Sequence, residues 1–457
     1  MKKILFRVDS SSTIGTGHIM RDLVLAQQYQ NASISFATQN LEGNIDHTIL
    51  EAHYHLLTLE SNTPTELIEL IKKHNIDLLV IDHYEIDYQY EKEIKEITGV
   101  NILAFDDTYE KHHCDILLNH NISAEAKRYK NLVPKNCELR CGSKYTLLRD
   151  EFMHSYPPKI ESKDTYVLIA LGGIDSTELN IPILKLLLEY NNLKIDLVTT
   201  TANTNLKKLQ NFVKEYESVS LHINTKQMAK LMSQDDFAII TPSVTLNEAY
   251  FMKLPFIAIK TQENQHDIFT YLKDNNYQVI NNFSPNLLQK ELQLMQQRLH
   301  VELINFTNTT HKEKELILEW RNDEYIKKWM HKHEKITLKE HLFFINSLHT
   351  IHNKQYFLVK DKSNIYGVVN LTNIIKLKSA ELGIYAKIGL KGAGTLLMHK
   401  IIDYTFHTLF LKKLYINVYA DNTQAIKLYK KFNFILVNTT INRNLKLYTM
   451  ELNSENR

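Results

Sequence analysis

From Lys3 to about Phe152, apolar runs of strand length alternate with stretches of helical spacing. Ile4-Leu5-Phe6 leads through a Gly-containing loop into a predicted helix from about His18 to Tyr29, and Ser33-Ile34-Ser35-Phe36-Ala37 reads as a second strand. A helix over Glu66–Lys73 and strands at Leu78–Ile81 and Ile102–Phe105 continue the alternation. Apolar strands separated by helices imply a parallel sheet covered on both faces. Tyr156-Pro157-Pro158-Lys159 breaks the pattern, and a second unit of the same kind follows. Its strands are Tyr166–Leu171, ending in Gly172-Gly173, then Ile195–Val198, Phe237–Ile240 and Phe256–Ile259, with a helix predicted from about Thr177 and another from Pro285. After Phe306 the texture becomes α+β: helices over Glu315–Lys328 and Leu338–Leu348, then three strands, a glycine cluster, a helix to about Leu409, a strand, a helix over Thr423–Lys431 and a last strand. The expected division is two Rossmann-type α/β domains, 1–155 and 160–300, and an α+β domain, 303–457. Tandem open α/β units leave a ligand cleft at the carboxyl ends of their strands.

Length agrees, since 457 residues divide into roughly three units. A 44% apolar and 23% charged composition is that of a globular chain. A net charge of +2 gives no footprint for nucleic acid or an anionic membrane, and no run of about 18 apolar residues suggests a span. Arg7 and Asp9 interrupt the opening apolar stretch, so it reads as a strand and not a signal peptide. Three cysteines, Cys114, Cys137 and Cys141, make no disulfide framework, and a reducing cytoplasm is expected. His112-His113 and His331-Lys332-His333 match no metal-ligand spacing, so they read as surface histidines and no metal is expected. Nothing in the pattern specifies an oligomer.

Gly15-Thr16-Gly17-His18 lies between the first strand and the first helix, with Arg21 one turn on. The glycines let backbone approach a ligand and the helix start favours an anion, although G-x-G also serves any tight strand-to-helix turn. The wider run Arg7-x-Asp9-Ser10-Ser11-Ser12-x-Ile14-Gly15-x-Gly17-His18-Ile19-x-Arg21-Asp22-Leu23 is joined by Asp82-x-Tyr84, Phe105-Asp106-Asp107, Gly172-Gly173-x-Asp175, Thr241-Pro242-Ser243-x-Thr245-x-Asn247-Glu248 and Glu263-Asn264-Gln265. Together these closely resemble the UDP-sugar hydrolases of pseudaminic acid biosynthesis, relatives of GT-B glycosyltransferases, over residues 1–290. The resemblance implies a GT-B-like fold in which His18 activates water and Asn264 meets the reacting end of the sugar nucleotide. Glu248 would hold the ribose. Gly172, Gly173 and the Ser243-Val244-Thr245 turn would offer N–H groups to phosphate, Tyr84 would line the sugar, and Gly15, Gly17 and Arg21 would contact substrate. The chemistry is modest: UDP leaves without an acid, unlike an ordinary glycosidase leaving group, so a base for water and donors for the diphosphate suffice. A helix start disfavours a histidine's cation, which suits His18 to that task.

In the last domain Gly389-Leu390-Lys391-Gly392-Ala393-Gly394 follows the strand Glu381–Tyr385 and opens an amphipathic helix. A dinucleotide fold would place such glycines at the start of its own βαβ unit. Asn417-Val418-Tyr419-Ala420-Asp421-Asn422-Thr423-x-Ala425-Ile426-x-Leu428-Tyr429 completes a pattern that resembles GNAT acetyltransferases, and Trp320-Arg321-Asn322 resembles the N-acetyltransferase of the same pathway. The resemblance implies acetyl-CoA as co-substrate. Amides of Lys391, Gly392, Gly394 and Thr395 would hold its pyrophosphate, the strand around Leu382 and Ile384 its pantetheine, and Asn422 a further contact. Tyr429 would protonate the departing thiolate, while Glu381 or a water relay takes the amine proton. Gly389 stands where the family usually has Gln or Arg, and Asn433 where it has Gly before Phe434; Asn tolerates positive φ. A bifunctional enzyme acting on UDP-sugars follows. The alternatives are a GT-B glycosyltransferase carrying a GNAT domain, or a hydrolase with a non-catalytic GNAT-like module.

Overall fold

The computed structural model describes residues 1–157, 159, 162–330, 334–442 and 445–454; Pro158 of the link and His331-Lys332-His333 lie outside them. The chain forms two compact units, Met1–Lys273 with Tyr277–Pro285, and Asp274–Asn276 with Asn286–Arg457.

The first unit holds two parallel sheets. One contains β1 (Lys2–Val8), β2 (Ala32–Gln39), β3 (His55–Leu59), β4 (Leu78–Asp82), β5 (Asn101–Phe105), β6 (Ile116–Asn119) and β7 (Glu138–Cys141), in the order β3-β2-β1-β4-β5-β6-β7. Leu5, Leu79 and Ile81 pack into a core on one face, and Ile4, Phe6 and Val80 into a core on the other. Burial on both faces is why the strands read as unbroken apolar runs. The other sheet contains β8 (Thr165–Ala170), β9 (Leu193–Thr199), β10 (Val219–Ile223), β11 (Phe237–Ile240), β12 (Phe256–Ile259) and β13 (Gln278–Ile280), ordered β10-β9-β8-β11-β12-β13. In each sheet the strand order reverses once, between β1 and β4 and between β8 and β11, and a doubly wound sheet binds its ligand at such a reversal. The segment after β6 packs on the second sheet. Ile122 and Phe152 share a core with Leu168 and Met232, and the Asn247 side chain accepts from the Ile122 amide at 3.3 Å.

The helix expected from Thr177 begins at Asn180, because Asp175, at φ 47°, turns its carboxylate onto the amides of Leu179 and Asn180. His112 is not a surface residue. It is 7% exposed and its Nδ1 lies 2.7 Å from the buried Glu91 carboxylate. Cys114 and Cys137 are free thiols with sulfurs 3.7 Å apart. Among the described residues no helix is long and apolar enough to cross a membrane.

The second unit is built on a sheet of β14 (Glu302–Asn305), β15 (Gln355–Lys360), β16 (Ile365–Ile375), β17 (Ser379–Ala386), β18 (Lys413–Tyr419), β19 (Ile435–Asn442) and β20 (Leu445–Asn453). The order is β14-β15-β16-β17-β18-β20-β19. Among the described residues its one parallel pair, β17 with β18, ends its register at Leu382–Ile416. Beyond that point β17 stays with β16 and β18 with β20, so the sheet splays. The helix Pro285–His300 clusters with this unit, Arg298 pairing with Asp403 at 2.9 Å. The single helix expected over Glu315–Lys328 is two, His311–Asn322 and Glu324–Lys327. Extended backbone at Asp323 breaks the run and its carboxylate caps the second piece through the Tyr325 amide.

Candidate active sites

The loops after β1 and β4 meet at the first reversal of strand order. Gly15 takes φ 88° and the helix Gly17–Gln27 starts without a side-chain cap, leaving N–H groups of its first turn open. His18, 8% exposed, places Nδ1 2.6 Å from Oδ1 of Asp82, the last residue of β4. Arg21 donates to the same carboxylate through Nε and Nη2, both at 2.5 Å. A carboxylate with these neighbours accepts, so Nδ1 carries a proton, and in the neutral ring the lone pair is on Nε2. Burial raises the Asp82 pKa, but Arg21 and His18 outweigh it and hold the group well below the usual carboxylate range. Arg21 also reaches Asp107 at 3.2 Å, and the Tyr84 hydroxyl donates to Asp107 at 3.0 Å. The Tyr84 ring stands edge-on to His18 with centroids 4.9 Å apart. Behind them Asp22 is fully buried with no hydrogen-bond partner among the described residues, and burial together with the Asp82 charge pushes its pKa well above the carboxylate range.

At the second reversal, Gly172 has φ 89°, and a Cβ on Gly173 would meet the Thr200 side chain at 2.7 Å. Gly173 is thus fixed by packing as well as by its position after β8. The helix Val244–Phe251 starts at Ser243 with no side-chain cap, so Val244 and Thr245 sit in an open helix start. Glu248 is 3% exposed and accepts from Arg149 Nε at 2.9 Å; burial pushes its carboxyl up to about 7, against the pull of Arg149. Asn264 lies exposed on a short turn after β12, while its neighbour Gln265 caps that turn.

In the second unit the β17–β18 splay opens beside the glycine loop. Leu382 is in the core, Ile384 is half-buried, and past Leu382 the edge of β17 that faced β18 has no strand partner among the described residues. Gly389 and Gly392 take φ 81° and 82°, with no atom near where a Cβ would stand. The helix Ala393–Asp403 starts without a side-chain cap; the Thr395 amide already donates to the Gly392 carbonyl at 3.0 Å, so the open amides precede it. Asn422 caps the helix Thr423–Lys431 through the Ala425 amide. Tyr429 is 6% exposed within the apolar core. Burial raises the pKa of its phenol. Glu381 accepts from Asn417 at 2.7 Å and from Asn373 at 3.0 Å. Asn433 takes φ 61°, the left-handed turn that the usual glycine would supply.

The N-terminal region is 45% identical over 278 residues to the UDP-2,4-diacetamido-2,4,6-trideoxy-beta-L-altropyranose hydrolase of Campylobacter jejuni, covering 61% of this chain and 98% of that protein. The model of the acetyltransferase (GNAT) domain family matches residues 304–435. Acetyltransferase PseH of Campylobacter jejuni is 43% identical over 136 residues, 30% of this chain and 85% of that protein. The chain belongs to both families. A crystal structure of Campylobacter jejuni PseH in complex with acetyl coenzyme A matches at 36% identity and a TM-score of 0.28, covering 34% of this chain and 99% of that one.

The hydrolase-family unit thus brings His18, Arg21 and Tyr84 together around two carboxylates to which the sequence reading gave no role. Asp82 and Asp107 sit in quoted motifs, but their ties to His18 and Arg21 depend on β4 lying beside β1 and β5 beside β4. In the acetyltransferase-family unit the unassigned polar group is the Arg321 guanidinium, whose pKa burial lowers while the phenols of Tyr385 and Tyr356 act the other way. Its place in a Trp-Arg-Asn triplet was the only sign in the sequence.

Proposed function

We propose a bifunctional enzyme of pseudaminic acid biosynthesis. The acetyltransferase-family unit transfers acetyl from acetyl-CoA to the 4-amino group of UDP-4-amino-4,6-dideoxy-N-acetyl-β-L-altrosamine. The hydrolase-family unit cleaves the product, UDP-2,4-diacetamido-2,4,6-trideoxy-β-L-altropyranose, to UDP and free sugar. The observation that carries the hydrolytic half is the His18–Asp82 pair at the strand reversal. With Nδ1–H held by Asp82, Nε2 of His18 takes a proton from water. The water oxygen bonds to the anomeric carbon, and the anomeric C–O bond breaks with its electron pair leaving on UDP. The open helix starts at Gly17 and Val244 and the Gly172-Gly173 turn offer N–H groups to the diphosphate. Arg149 occupies one oxygen of Glu248, and the ribose contact falls to the other. Asn264 meets the sugar from the β12 loop.

In the other unit the substrate amine attacks the thioester carbonyl and gives up its proton to Glu381 or a water relay, while the thiolate leaves with the C–S bonding pair and takes the Tyr429 proton, which solvent restores to the phenol. The pantetheine lies along the splayed edge of β17, and the amides of Lys391 to Gly394 meet the pyrophosphate. A cytoplasmic location fits acetyl-CoA supply and two neighbouring thiols left unbonded. Incubation of the full chain with the amino-sugar nucleotide and acetyl-CoA should give free CoA, UDP and the diacetamido sugar by mass spectrometry. UDP release only after adding a sugar acceptor would make the first unit a glycosyltransferase and overturn the hydrolase reading.

A further inference from the structure

We propose that Asp107 sets Tyr84 as a hydrogen-bond acceptor toward the sugar, so that the first unit selects a nucleotide sugar presenting an N–H or O–H donor at that point; this rests on the hydrolase reading above. Tyr84 is 58% exposed on the loop after β4, on the same side of the site as His18. A phenol has one proton to give. That of Tyr84 is given to Asp107, whose oxygens lie 3.0 and 3.3 Å away. An ionised carboxylate has no proton to return, and Arg21 pairs with this one at 3.2 Å. The phenol oxygen is left with lone pairs only, and whatever approaches it from the cleft must donate. Acetamido N–H groups and hydroxyls meet that demand; a carbonyl or ether oxygen in the same place does not. Arg21 bridges Asp82 and Asp107, so one guanidinium aligns both the base and the selecting phenol. Asp107 is a positioning residue, acting through Tyr84.

The test is a double-mutant cycle on the full chain with Tyr84→Phe, Asp107→Asn and the pair. Each single variant should raise KM for the nucleotide sugar, and its calorimetric Kd, by roughly 3–10-fold, the value of one hydrogen bond, with a smaller change in kcat. Kd for UDP alone, which lacks the sugar, should not move. The pair should be no worse than Tyr84→Phe. Effects that multiply in the pair, or an equal loss of UDP affinity, would mean that Asp107 acts through Arg21 and the scaffold, and the proposal would fall. Failure of the hydrolase reading shows separately, as no UDP release by the unmutated chain, and the calorimetric cycle on the nucleotide sugar still decides.

Discussion

The two sites are built from different materials. In the first unit the proposed reacting region is a wired set of side chains, His18–Asp82–Arg21–Asp107–Tyr84, in which each polar group is held by the next. In the second unit the proposed region is mostly backbone: a strand edge released by a splay, a helix start opened by glycines, and one phenol in an apolar core. The contrast follows from the chemistry. Water must be made nucleophilic by the protein, which takes a base, an orienter and a counterion. A thioester arrives already activated, so holding it in place supplies most of what is needed. The wired site should therefore break sharply at single side chains, and the backbone site gradually.

The largest effect is expected at Asp82. Asp82→Asn leaves a similar shape but no anion to fix the His18 tautomer, and UDP release should drop by about 10²–10⁴-fold. Acetylation by the same preparation should continue. Retention of UDP release within a few-fold would remove the dyad from the mechanism. Tyr429→Phe comes next, with acetylation slowed by about 10–100-fold, because solvent can still protonate a thiolate. Burial raises that phenol's pKa, so the loss should be the same at pH 6 and pH 9; a loss confined to one end of the range would point to another group. Gly392→Ala is smaller again. At φ 82° with open space around the Cβ position the cost is backbone strain alone, about 1–2 kcal/mol; a free loop that relaxes to escape it must restore that turn on binding, read as roughly a tenfold weaker acetyl-CoA Kd. An unchanged Kd would place the pyrophosphate elsewhere.

The same contrast governs what the sequence discloses. Gly15 to His18 and the loop before Ala393 were legible as open helix starts because strand, glycines and helix are neighbours in the chain. The paired strands of each core were legible from their apolar runs. The partners were not. Asp82 looks like the polar end of a buried strand, and only the adjacency of β1 and β4 brings it to a histidine 64 positions earlier. Edge strands such as β3, half-exposed along most of their length, leave too weak a pattern to be seen. Asp323 falls inside the helix expected over Glu315–Lys328, yet its side chain suits a cap and starts a new helix. His112 failed for the same reason as Asp82: its counterion, Glu91, comes from a helix 21 positions earlier.

His112 also gives the weakest expected effect on either activity and the clearest on stability. Burial disfavours its cation, but Asp106 and Glu91 outweigh burial and raise its pKa to about 10. The Glu91 contact is a 2.7 Å hydrogen bond, and the Asp106 contact, at 3.9 Å, an ion pair only. A folded pKa above the free-imidazole value near 6.5 means that the folded chain holds this proton more tightly than the unfolded one. The stabilisation is then full below about pH 6.5 and is lost as pH rises through about 10. Urea unfolding of the first unit, followed at pH 6, 8 and 10, should show stability falling across that window, by an amount on the order of a few kcal/mol. His112→Asn should be the less stable at pH 6, and its deficit should narrow as pH rises. A deficit of constant size would mean that His112 sits there uncharged, held by shape and not by its two carboxylates, and the first unit would then owe less to buried ions than its active site suggests.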